Sequence, residues 1–152
     1  MAGVRLLRDI YERGHRAFVA DTAPIIHRVT RGPDREWVSI CDPLFDAVED
    51  EYMGCLVSSA SVAELLIEPF RAGGAAVSAI DGFLNQRSIG IAEVDEAIAR
   101  GAAQLLATKR INRVSSALVA ATALHYQLPL LTGDRRLARG LGYLAYLVAD
   151  YR

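Results

Sequence analysis

The chain has 152 residues, of which 52% are hydrophobic, and it sets 17 basic against 18 acidic side chains for a formal net charge of -1. A chain of this length buries roughly 70% of the surface its unfolded form exposes, so a single compact domain over residues 1–152 is expected without disulfides or structural metal, and disorder is excluded. The near-zero charge excludes wholesale neutralisation of phosphates by a cationic surface, so any contact with nucleic acid has to come from a local patch.

In chain order, residues 1–16 carry Leu6, Leu7, Ile10 and Tyr11 as an apolar stripe and predict an extra N-terminal helix, which can dock on a partner or on the chain's own sheet. Arg8, Asp9, Glu12 and Arg13 interrupt every apolar run there, so the segment does not read as a signal peptide and a cytoplasmic location is expected. AFVA at 17–20 predicts a short strand ending at Asp21, and Pro24 suits the first turn of a helix through Ile25 and Ile26. Residues 37–51 place Trp37, Ile40, Leu44, Phe45 and Val48 at helical spacing, and Gly54 opens a second strand over 55–58. Cys41 and Cys55, the only two cysteines, show no CxxC spacing and no clustering with His15, His27 or His125. They read as reduced, half-buried thiols rather than a zinc or redox site.

Ser61 and Glu64 form an S-x-x-E capping box ahead of Leu65, Leu66, Ile67 and Phe70, which predicts a helix starting there and broken by Gly73 and Gly74. A helix over about 76–84 leads to a third strand at 88–92, and Asp95 can cap the helix at 96–108. The longest nearly uncharged stretch, 114–124, contains Ser115, Ser116 and Thr122 and falls short of the roughly 20 apolar residues a membrane helix requires. It predicts a buried helix over 115–126, with His125 as a core or interface histidine. PLLT at 129–132 is the fourth strand, Gly133 and Asp134 form the turn after it, and LAYLVA at 144–149 is the fifth. Strands alternating with helical crossovers predict an α/β fold, a three-layer α/β/α sandwich around a four- or five-stranded parallel sheet.

Three carboxylates follow the strands of that sheet. Asp21 ends the first, Glu64 lies in the first turn of the helix after the second, and Asp134 follows the fourth, so with the first strand central they converge on one rim. Singly, Asp21 can be a helix cap, Glu64 the partner of Ser61, and Asp134 a turn residue. Gathered together they repel one another unless a hard cation such as Mg²⁺ or Mn²⁺ joins them, and such an ion polarises a phosphoryl group and turns bound water into a nucleophile for phosphodiester hydrolysis. Thr22 and Thr132 flank the rim. An Asp-x-Asp phosphatase nucleophile is missing because Ala23 stands at its second position, and no Gly-x-Gly-x-x-Gly dinucleotide turn occurs.

VADTAPII at 19–26, SSASVAELL at 58–66, SSALVAATAL at 115–124 and LLTGDRRL at 130–137 occur in the order and at the intervals of four signature segments. Through them the chain resembles PIN domains over about residues 17–150, and among these the VapC-like toxins of prokaryotic toxin–antitoxin pairs. The resemblance implies an Mg²⁺- or Mn²⁺-dependent endoribonuclease acting on RNA, a homodimer, and inhibition by a cognate antitoxin. It assigns the first, second and fourth acids to Asp21, Glu64 and Asp134, while Ser116 stands where the third is expected. A neutral serine removes a coordinating oxygen and a negative charge, which leaves a second reading open: a PIN scaffold acting as a protein- or RNA-binding module. Asp95 is the candidate substitute for the missing acid. Arg110, Arg113, Arg135, Arg136 and Arg139 flank the rim in sequence and can hold RNA phosphates or pair with neighbouring carboxylates in solvent. Trp37, Tyr52 and Phe70 read as core or interface residues rather than base-stacking platforms, which usually come as clustered exposed aromatics, and His27 reads as exposed.

Overall fold

In a computed structural model the protein is described over residues 2–108 and 110–152. The elements are α1 (Ala2–Glu12), β1 (Ala17–Ala20), α2 (Thr22–Thr30), α3 (Arg35–Glu49), β2 (Gly54–Ser58), α4 (Ser59–Ala72), α5 (Gly74–Leu84), β3 (Ile89–Ala92), α6 (Glu96–Ala107), α7 (Val114–Tyr126), β4 (Leu130–Thr132), α8 (Arg135–Leu141) and β5 (Ala145–Leu147). Two 3-10 turns follow, at Gly142–Leu144 and Val148–Tyr151. Met1 of the predicted N-terminal helix lies outside the described residues.

All strand pairings are parallel, in the order β3-β2-β1-β4-β5. Because side chains alternate across a strand, β1 serves both faces of the sheet. Phe18 and Ala20 enter a core with Cys55, Val57 and Leu131 that α1, α3, α4 and α5 complete. Val19 enters the opposite core with Leu130, where residues of α6, α7 and α8 pack. In the first core Phe45 meets Phe18 and Phe83 edge to face, with ring centroids 6.0 and 5.8 Å apart. In the second, α7 comes close to its neighbours on small residues, and Ala117, Val119, Ala120, Ala121 and Ala123 are all buried.

The N-terminal stripe belongs to the chain's own core. Leu6 and Ile10 are fully buried, and α1 is fastened to the C-terminal turn: Tyr151 Oη donates to Asp9 Oδ2 at 2.8 Å, and the Arg5 guanidinium lies 5.0 Å over the Tyr151 ring. Residues of α3 fill the same core, including Ile40, Leu44, Phe45 and Val48.

Several sequence expectations change. The cap of α4 is Ser58, whose Oγ accepts from the Ala60 amide at 3.2 Å. Because β2 runs into the helix without a loop, the first unpaired amides fall to Ser58, and Ser61 is carried inside the helix. There it is wholly buried, with no hydrogen-bond partner for its Oγ among the described residues. Asp134 opens the helix α8 instead of ending in a turn. His125 is no core histidine, since residues 124–127 at the end of α7 are exposed, and its ring packs at 4.9 Å against Tyr126. Tyr52 and Phe70 are each 70% exposed and contribute nothing to the core. His27 is half-buried against Trp37. Both thiols are buried rather than half-buried, which pushes Cys41 and Cys55 up to about 12. The fifth strand ends at Leu147. Among the described residues no helix is long and apolar enough to cross a membrane.

Ile10→Ala is expected to cost about 2–5 kcal/mol, the range for truncating a buried aliphatic side chain, while Val4→Ala on the exposed side of α1 stays within about 0.5 kcal/mol. Urea unfolding measures both, and an unchanged midpoint for Ile10→Ala would make α1 a detachable arm.

Candidate functional site

The direction in which the chain adds strands reverses between β1 and β4, since β2 and β3 lie on one side of β1 and β4 and β5 on the other. Residues beyond the carboxyl ends of these two strands therefore face an open crevice. Asp21 leaves β1 there in an extended conformation. Its Oδ1 accepts from the Thr22 amide at 2.9 Å, and its Oδ2 accepts from Thr132 Oγ1 at 2.7 Å. Thr132 Oγ1 in turn accepts from the Asp134 amide at 3.0 Å, so one hydroxyl joins the ends of the two central strands.

Glu64 reaches the same place from the second turn of α4. With Ser58 as the cap, its pairing with Ser61 in a capping box is excluded, and its carboxylate is committed elsewhere. Oε1 accepts from Thr22 Oγ1 at 3.1 Å, and Oε2 lies 3.8 Å from the Arg113 guanidinium. Asp134 caps α8, its Oδ1 accepting from the amides of Arg136 and Leu137 at 2.9 and 3.1 Å. All three carboxylates line one cavity of ≈ 330 Å³, together with Ser116, Arg113 and Trp37. A larger groove of ≈ 570 Å³ between α6 and α7 holds Arg110 and His125 but no carboxylate, so the acid chemistry lies in the smaller one.

Burial is the main force that raises the Asp21 carboxyl above its ordinary 3.8, and the charges of Glu64 and Asp134 add to it, while the hydrogen bonds from Thr132 and Thr22 pull the other way. The donors are hard oxygens, and the half-buried Asp21 carboxylate, amid two like charges, has no counter-ion among the described residues, so the chemistry of the set suits a hard divalent cation. Among the described residues, however, no group of three His, Cys, Asp or Glu side chains already stands at metal-binding spacing. The threonine hydroxyls and the α8 amides occupy these carboxylates, and an ion shared by all three would require the side chains to draw together.

The other sequence candidates are dispersed. Arg113 is at the cavity, whereas Arg135 and Arg139 line a separate depression beside Asp150, and Arg136 is exposed on α8. Asp95 caps α6 through Ile98 and is outside the cavity lining. Trp37 was missed as a site residue, because hydrophobic spacing on α3 assigns it to the core and nothing local reveals that α3 reaches the acid rim.

Residues 40–140 match the PIN domain, and the chain belongs to that family. The match contains Glu64, Ser116 and Asp134 and begins after Asp21. No curated protein sequence matches the chain. Among solved structures, FitAcB from Neisseria gonorrhoeae aligns with a TM-score of 0.64 at 21% identity, covering 87% of this chain and 98% of that one. VapBC2 from Rickettsia felis, bound to a promoter DNA fragment, gives 0.61 at 19% identity over 78% and 87%. A toxin–antitoxin complex from Klebsiella pneumoniae gives 0.64 at 15% identity over 86% and 97%. At such identities the likeness is one of fold.

The raised carboxyl of Asp21 makes the metal-free folded protein bind more protons than the unfolded chain above 3.8. Its contribution to stability is therefore full below that value and is lost as pH rises through the folded one. Asp21→Asn is expected to melt higher than the natural protein in EDTA at pH 7, with the gap closing as pH falls towards 3.8. Added Mn²⁺ should stabilise the natural protein more than the variant. Calorimetry across pH tests both, and equal melting at every pH would remove the strain assigned to this carboxylate.

Proposed function

We propose that this chain is a metal-dependent endoribonuclease and the toxin of a toxin–antitoxin pair. The observation that carries this reading is the convergence of Asp21, Glu64 and Asp134, from three distant segments of a PIN domain, on one cavity where the strand order reverses. An Mg²⁺ or Mn²⁺ ion held by these three residues would polarise the scissile phosphate and lower the pKa of a bound water. Thr132 and Thr22 orient the Asp21 and Glu64 carboxylates towards that place. Arg113, 63% exposed and only loosely paired with Glu64, can turn to an RNA phosphate, where a guanidinium binds two oxygens at once. Arg110, Arg135 and Arg136 lie outside this cavity and would meet phosphates farther along the RNA. Trp37 and Ile26 form an aromatic and aliphatic side of the cavity.

The partner is a cognate antitoxin, a reading supported by the toxin–antitoxin complex from Klebsiella pneumoniae among the structural neighbours. The protein acts in the cytoplasm as a single domain and a homodimer. The stripes of α1 and α3 are spent on the core, so association draws on exposed apolar residues such as Ile67 and Phe70 of α4. Sedimentation equilibrium at micromolar concentration is expected to give twice the 16.5 kDa chain mass, and a monomer throughout would remove the dimer.

Ser116 favours a second reading. It lines the cavity without charge, while Arg113 already partners Glu64, an arrangement that also suits a scaffold binding RNA or protein without turnover. A time course on mixed-sequence RNA with Mn²⁺ separates the two. The natural protein is expected to cut slowly and Ser116→Asp about tenfold faster, the gain from about 1.4 kcal/mol of transition-state stabilisation. Adding Asp21→Asn to Ser116→Asp should abolish cleavage. If neither of the first two proteins cuts, the binding-module reading replaces the enzyme.

A further inference from the structure

The acid cavity has one wall that its carboxylates do not explain. Trp37, the only tryptophan of the chain, borders it together with Gly133. A Cβ built on Gly133 would fall 1.6 Å from Trp37 Cη2 and 2.6 Å from both Cζ2 and Cζ3. Equal distances of that size place the added atom in the plane of the ring, along the Cη2–H direction, so the indole meets the Gly133 backbone edge-on. The His27 ring packs beside the indole with centroids 4.7 Å apart and planes inclined at 37°. His27 is itself held, Nδ1 donating to the Ala23 carbonyl at 2.9 Å, and it is not part of the cavity lining. The indole is thus held by Gly133 at one edge, by His27 beside it and by the hydrophobic core against which it packs, while part of the ring borders the cavity that contains Asp21, Glu64 and Asp134.

We propose that Trp37 is a nucleobase-stacking platform, which seats the base beside the phosphate presented to the acid rim. The proposal rests on the nuclease reading and gives it a substrate class. A base within a duplex already has both faces stacked, so only an unpaired strand can lay one on the indole. An aromatic face accepts any base, so the platform sets position along the strand without reading sequence. The ring is clamped before binding, so little side-chain freedom is lost when a base arrives. Gly133 then has a function beyond its turn, since any larger residue there would push the indole out of place.

Because Trp37 is the sole tryptophan, its emission reports on this position alone. Titration in EDTA with a six-nucleotide mixed-sequence RNA is expected to quench the emission by half or more, while a six-unit abasic ribose-phosphate strand of equal charge quenches it little. In fluorescence anisotropy with end-labelled strands, Trp37→Leu should weaken RNA binding about 5- to 150-fold, the ~1–3 kcal/mol of one stacked base. It should leave the abasic strand unaffected, and Trp37→Phe should recover most of the loss. Equal quenching by both strands, or equal weakening of both by Trp37→Leu, overturns the platform. Failure of the RNA strand to bind overturns it together with the RNA reading. Base-dependent quenching without cleavage in the Mn²⁺ time course upholds the platform and sinks only the nuclease.

Discussion

The carboxylate of Asp21, half-buried at the end of the middle strand, is the constraint around which the site is organised. A charge in that position is costly unless its oxygens are occupied, and both are: one by the amide of the helix that starts next, the other by a threonine from the neighbouring strand. The threonine bond also fixes β4 against β1 at the point where Asp134 begins. Thr22, the next residue after Asp21, holds Glu64. Two hydroxyls and one half-buried acid therefore place all three carboxylates, and the parallel sheet supplies the rim on which they meet.

The charge balance at this rim is unusual for its neutral member. Three carboxylates face one cavity, and Arg113 is the cation that lines it. A fourth carboxylate at position 116 would add repulsion that this one arginine, already beside Glu64, offsets only in part. Serine there lines the cavity without adding a charge.

Much of this architecture was legible in the sequence because its signals are local. Short continuous apolar runs ended by Asp21 and by Gly133 mark β1 and β4, and Asp95 caps its helix as its position before Glu96 suggests. The three acids could be grouped because a parallel sheet brings strand ends together whatever their separation along the chain. Legibility fails where two local patterns compete or where contact is distant. Ser58 and Ser61 both offer a hydroxyl near the start of α4, and only the absence of a loop after β2 decides for Ser58. The seven residues of α8 are too few to show a helical period. Trp37 follows the helical spacing of core residues, and its place at the rim depends on how α3 crosses the sheet, which no spacing records.

The strand order also governs when the site can exist. Asp21 and Thr132, bonded across the two central strands, are 111 residues apart in the chain. During synthesis β1, β2 and β3 can pair as soon as they emerge from the ribosome, but β4 follows only after α6 and α7 have been made. Until then the middle strand has an open edge, Asp21 lacks its threonine partner and Asp134 has yet to appear. A nascent chain that has not reached β4 therefore lacks the acid rim, which closes only through long-range contact. On the proposed nuclease reading, the messenger and the ribosome are not exposed to the completed site before that step.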